Sequence, residues 1–89
     1  MAMVLIPPPY RGPTHGIDRV EVPAGTVRAC IDAVEARHPG FRPLVVDAAG
    51  RVHRFVTLFR NGDQLRGDVL DLPIGDADEL EVLSAIAGG

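Results

Sequence analysis

Residues 26–40, TVRACIDAVEARHPG, form the one stretch with a sustained helical period, and this limits the chain more than any other feature. Val27, Cys30, Ile31 and Val34 recur at spacings of three, four and seven, which lines one face of an amphipathic helix. Thr26 stands at the N-cap, and Pro39 and Gly40 stop the helix, so the pattern predicts a helix near residues 26–38. A chain of 89 residues has room for one domain and one core. A single helix covers one face of one sheet, so the remaining apolar runs have to share that sheet.

Those runs are short. AMVLI at the start reads as a strand ended by Pro7, Pro8 and Pro9, which donate no backbone hydrogen bonds. GIDRVEV alternates well enough, through Ile17, Val20 and Val22, for a second strand, with RGPTHG as the turn between them. FRPLVVDAAGR reads as a loop with one helical turn. VHRFVTLFRNGDQLR is the clearest hairpin signal, because Asn61-Gly62 suits a two-residue turn with both central residues at positive φ. DVLDLPIGDADE is a turn-rich connection, and LEVLSA is the last strand. The order strand, strand, helix, strand, short strand, strand predicts an α+β domain, a mixed sheet of four to five strands with the helix across one face. That is the β-grasp, or ubiquitin-like, arrangement. Its first and last strands, around Val4 and Val82, lie parallel and adjacent at the centre. The domain then occupies residues 1–85, with residues 86–89 as a protruding, flexible tail.

The chain carries a net charge of −3, and all nine of its basic residues are arginines scattered along it. That excludes the electrostatic footprint of a nucleic-acid or anionic-lipid binder. No run reaches membrane-spanning length and MAMVLI makes no signal sequence, so a cytoplasmic protein is expected. The lone Cys30 rules out an internal disulfide and a cysteine-based zinc site. On the apolar helix face it reads as a small buried hydrophobe. His15, His38 and His53 fall in different elements without ligand spacing, so no metal is expected. PPPY at 7–10 matches the PPxY pattern read by WW domains, but a strand end and loop with a packed Tyr10 accounts for it better. The acidic run Asp76, Asp78, Glu79 and Glu81 is either a solvated turn and strand face or a docking patch for a basic partner near the tail. No phosphate loop, catalytic triad or carboxylate pair is present, so the chain is not read as an enzyme.

Attention then falls on Ser84-Ala-Ile-Ala-Gly-Gly89. Glycines lose most entropy on ordering, so Gly88 and Gly89 add nothing to stability; either they are idle or a partner uses them. DADELEVLSAIAGG resembles the ending of ThiS/MoaD-type sulfur carrier proteins, where an Asp-Gly-Asp turn leads into a strand and Ala-Gly-Gly. The hairpin RFVTLFRNGDQLR is also similar to that family, with Asn61 at its usual Asn position. Ile6-Pro7, Arg11, Thr14 and Gly16, with HRFV at 53–56, are most similar to the CysO-like branch, which supplies sulfur for cysteine synthesis. Three positions depart from the pattern. Ala77 replaces the turn glycine, where a positive φ would cost about 1 kcal/mol or more. Ser84 replaces a frequent Pro, and Arg60 a usually apolar strand residue.

The resemblance implies a sulfur carrier that is itself no enzyme and binds no cofactor. A ubiquitin-activating-like adenylyltransferase would use ATP to adenylate Gly89, and a sulfide donor would convert the adenylate to a thiocarboxylate. A cysteine-synthase-like or other sulfur-accepting enzyme would then take the sulfur. Gly88 and Ala87 would pass through a narrow channel, with Ile86 as the last apolar anchor. Strand alternation points Val56 and Leu58 at the helix and leaves Phe55, Phe59 and Leu83 on the open face as partner-binding residues. Other readings stay open: a carrier for molybdopterin, thiazole or a specialised thio-metabolite, a modifier joined through Gly89 to target lysines, or an interaction domain with an idle tail.

Overall fold

The computed structural model describes residues 1–84. Five strands form the main sheet: β1 (Ala2–Leu5), β2 (Arg19–Val22), β4 (Val56–Arg60), β5 (Asp63–Gln64) and β7 (Glu79–Ser84). Their spatial order is β2-β1-β7-β4-β5. The first and last strands lie side by side and parallel, with Val4 opposite Leu80. Every other pairing in this sheet is antiparallel. The expected β-grasp topology is therefore the observed one.

α1 (Val27–Arg37) crosses one face, and the residues it buries are Val27, Cys30, Ile31 and Val34, the four picked out by their spacing. The Thr26 hydroxyl accepts from the Ala29 N–H at 3.1 Å, which satisfies one of the first-turn donors. Gly40 beyond the helix has φ +104°, and the Glu35 carboxylate accepts from the Gly40 and Arg42 N–H groups, pinning the bend. The single turn expected in the following loop is α2 (Arg42–Val45). An Asp47 carboxylate that accepts from the Ala49 and Arg51 N–H groups then closes a tight loop.

Strand alternation places Val4, Val20, Val22, Leu58, Leu80 and Val82 beneath α1, each at most 2 % exposed. With aromatics scarce, Phe41 is the one aromatic ring fully enclosed in this aliphatic core. Tyr10 closes a 3₁₀ turn over Pro8–Tyr10 and is buried as packing, its hydroxyl without a hydrogen-bond partner among the described residues. The connection between β1 and β2 is longer than a plain turn. Buried Thr14 donates to the Ile17 carbonyl at 2.8 Å, and Arg11 Nε donates to the Ile6 carbonyl at 2.9 Å.

One feature carried no sequence signal. β3 (Gly25–Thr26) and β6 (Pro73–Ile74) form a separate two-stranded sheet that ties the start of α1 to the connection before β7. Arg60, at the last position of β4, donates to the Pro73 carbonyl at 2.8 Å instead of entering the core. Ala77 is not among the described residues with positive φ, so the penalty for lacking glycine there is not incurred. The turn closes instead through Asp78 N–H to the Gly75 carbonyl at 3.1 Å, with the Asp78 carboxylate accepting from Gly75 N–H at 2.7 Å.

Candidate functional site

Opposite α1 no element among the described residues covers the sheet. The register places Leu5, Glu81, Phe59 and Gln64 in one row across β1, β7, β4 and β5 on this side. In the next row Leu83 lies opposite Thr57. Phe59 is half-buried and Leu83 is 39 % exposed, among the most exposed large apolar side chains described. The two are diagonal neighbours, close enough for long side chains to touch one probe. Phe55 is placed differently: it precedes β4, packs partly against the core, and stacks on His53 with ring centroids 4.9 Å apart. The structure thus brings Phe59 and Leu83 together, with Phe55 just before the strand. Leu5, which sequence reading passed over, joins the face because β1 is parallel to β7. That pairing links residues 76 positions apart and leaves no local trace.

Beyond Leu83 the open face runs into a groove of about 220 Å³ whose lining mixes apolar Leu5, Pro7 and Leu83 with charged Arg11, Asp18 and Glu81. It lies at the end of β7 from which the chain continues to the tail. Ile86, Ala87, Gly88 and Gly89 lie outside the described residues.

Of the acidic run, Asp76, Asp78 and Glu79 sit at the other end of β7 and are engaged internally, while Glu81 lies mid-strand on the open face and lines the groove. Asp78 accepts from the Asn61 side-chain amide at 2.8 Å, and the Asn61 oxygen accepts from the Glu79 N–H at 2.9 Å. The Asn61 bond, then the Gly75 N–H and the Arg60 charge, hold the Asp78 carboxyl below its ordinary value. Glu79 lies 3.7 Å from Arg19, and Asp76 lies 3.5 Å from the chain's N-terminal ammonium. Placed about five residues of extended chain from Ser84, roughly 17 Å along the strand, Glu79 is not beside the tail.

Cys30 is fully buried, its thiol 3.8 Å from the Pro23 carbonyl, and burial pushes its pKa up. A buried thiol held protonated is a poor nucleophile. Among the described residues no group of three or more His, Cys, Asp or Glu side chains is placed to hold a metal, and no helix is long and apolar enough to cross a membrane.

A mixed sheet with its first and last strands parallel at the centre and one long helix over one face defines a ubiquitin-like β-grasp domain. The ThiS family model matches residues 14–89, and the chain belongs to that family of ubiquitin-like sulfur carriers. A chain of the Amycolatopsis orientalis BexX/CysO complex superposes with a TM-score of 0.91 at 36 % identity, covering 100 % of both chains. Mycobacterium tuberculosis CysO superposes with a TM-score of 0.85 at 29 % identity over 96 % of this chain and 99 % of that one. Haloferax volcanii SAMP1, at 22 % identity and a TM-score of 0.77 over 99 % and 98 % of the two chains, shares the fold. No curated protein sequence matches the chain significantly.

Proposed function

We propose that this chain carries sulfur as a thiocarboxylate on Gly89 and delivers it to a biosynthetic enzyme, with cysteine synthesis as the destination. The observation that carries the reading is the full-length likeness to CysO at 36 % identity, together with a family match that runs through Gly89. The chemistry fits the residues. A carboxylate is a poor acylating group because oxide would have to leave; ATP used by a ubiquitin-activating-like adenylyltransferase supplies a leaving group, AMP. Sulfide attacks the adenylated carbonyl, AMP departs, and the sulfur remains on the chain end. No thiol of the carrier takes part, which agrees with the burial of Cys30. The carrier itself holds no cofactor in this scheme. Phe59 and Leu83, continued by Leu5, are the docking face offered to the activating enzyme, and Phe55 flanks it. CysO of Amycolatopsis orientalis is itself found in complex with BexX, which supports a partner-binding carrier.

Incubation with a cognate adenylating enzyme, ATP and sulfide should exchange one oxygen for sulfur in the intact mass. The exchange should persist in Cys30→Ala and vanish when Gly88 and Gly89 are deleted from a chain that circular dichroism reports as folded. Sulfur mapping to Cys30, or charging of the truncated chain, overturns the proposal. Conjugates joined through Gly89 to lysines of other proteins would instead identify a modifier, which uses the same activated tail.

A further inference from the structure

Asn61 is the only asparagine of the chain, and the residue after it is Gly62. Asn-Gly is the pair most prone to ring closure, because a glycine nitrogen is the least hindered backbone nucleophile. Both residues are exposed to water and both have positive φ, 52° and 87°. A Cβ built on Gly62 would meet nothing within 4 Å, so the turn is open on that side. The amide is nevertheless held at both of its polar atoms. Nδ2 donates to Asp78 Oδ1 at 2.8 Å, and Oδ1 accepts from Glu79 N–H at 2.9 Å. A third bond, Asn61 N–H to the Glu79 carbonyl at 2.9 Å, fixes the main chain beside them.

We propose that Asn61 is a spontaneous deamidation site kept shut by this clasp on Asp78 and Glu79. In the reaction the Gly62 nitrogen bonds to Cγ of Asn61, and the C–N bond to the side-chain nitrogen breaks. The proton from the Gly62 nitrogen leaves with that nitrogen as ammonia, which closes a succinimide. Water then adds to one ring carbonyl and the ring C–N bond at that carbonyl opens. Opening at Cγ gives aspartate, and opening at the main-chain carbonyl gives isoaspartate. Nothing is oxidised or reduced, and water is the only co-reactant.

Ring closure requires Cγ to turn onto the Gly62 nitrogen, which breaks both side-chain bonds of the clasp. The product cannot re-form it. A carboxylate there faces the Asp78 carboxylate where an N–H donor stood, and isoaspartate routes the main chain through Cβ, lengthening the two-residue turn. Modification therefore removes the bond from the β4–β5 turn to Asp78 and cannot be reversed by refolding.

Trypsin cleaves after Arg60 and Arg66, so the peptide of residues 61–66 isolates the site for mass spectrometry, and an isoaspartyl methyltransferase counts the branched product. In mildly alkaline buffer the folded wild type should keep its amide while the urea-unfolded chain loses it quickly. Asp78→Ala, still folded, should deamidate about tenfold faster or more, because it loses a hydrogen bond to a charged acceptor. Val20→Ala, a core truncation that leaves every clasp residue in place, should stay with the wild type. If Asp78→Ala does not fold, Asp78→Asn, which keeps an acceptor oxygen without the charge, should show a smaller rise. Equal rates for the wild type and the Asp78 variant overturn the proposal. So does an unfolded chain no faster than the folded one, or a Val20→Ala rate that matches Asp78→Ala.

Discussion

Thr26 belongs at once to β3 and to the cap of α1, so one side chain joins the small sheet to the helix. Thr26→Ala removes the acceptor for the Ala29 N–H and should cost about 1 kcal/mol. For a domain of this size that lowers Tm by about 4–8 °C, measured by calorimetry. A Tm within about a degree of wild type would mean that the β3–β6 pairing holds the helix start without the cap. Asp47 and Asp78 act through charge. Backbone donors lead the shift at Asp47 and the Asn61 amide leads it at Asp78, and both carboxyls are held below their ordinary value of 3.8. A depressed folded pKa means the unfolded chain takes up protons first. The stabilisation is then complete above the ordinary value and is lost as pH falls through the lowered one. Thermal melts stepped through the acid range should show the wild type losing stability there, with a shallower slope for Asp47→Asn. An unchanged slope would remove Asp47 from the acid response.

At the scale of elements, what the sequence made legible was what local pattern encodes. The α1 face, the Thr26 cap and the positive φ of Asn61 and Gly62 were all readable, because each depends on residues within a turn of one another. The β3–β6 pair was not, since two-residue strands containing Gly25 and Pro73 have no period. The reach of Asn61 to Asp78, 17 residues away, was equally hidden. The acidic run was visible as a cluster, but only the direction of β7 shows that Asp76, Asp78 and Glu79 lie away from the tail end while Glu81 lines the groove beside Leu83. Likewise, alternation grouped Phe55 with Phe59, and only the start of β4 at Val56 separates them. For the docking face this sharpens the prediction. Phe59→Asp or Leu83→Asp should weaken binding to the adenylating enzyme roughly ten- to a hundredfold, the worth of one buried apolar anchor, as read by isothermal titration. Unchanged affinity in both variants would move the docking site off this face.

For the whole molecule, the two faces of one sheet divide the work. The face beneath α1 holds the core, and on the proposed function the face away from it is the one that docks a partner. β7 tests the division within one strand, because Leu80 points into the core with 0 % exposure while Leu83 points outward at 39 %. Leu80→Ala leaves a cavity in a packed centre where β1, β7 and β4 meet, and should cost about 2–5 kcal/mol. A domain of this size holds on the order of 5–15 kcal/mol in all, so that loss is a large share of it. Leu83→Ala removes a partly solvated side chain with no core to collapse, and should change stability by no more than about 0.5 kcal/mol. Urea denaturation of the two variants measures both quantities, with the midpoint shifting far for the first and barely for the second at similar m-values. Partner affinity should follow the opposite order, with Leu83→Ala weakened and any folded Leu80→Ala binding as wild type does. If Leu83→Ala destabilises the fold as much as Leu80→Ala, the open face is part of the structural core and cannot be free for docking.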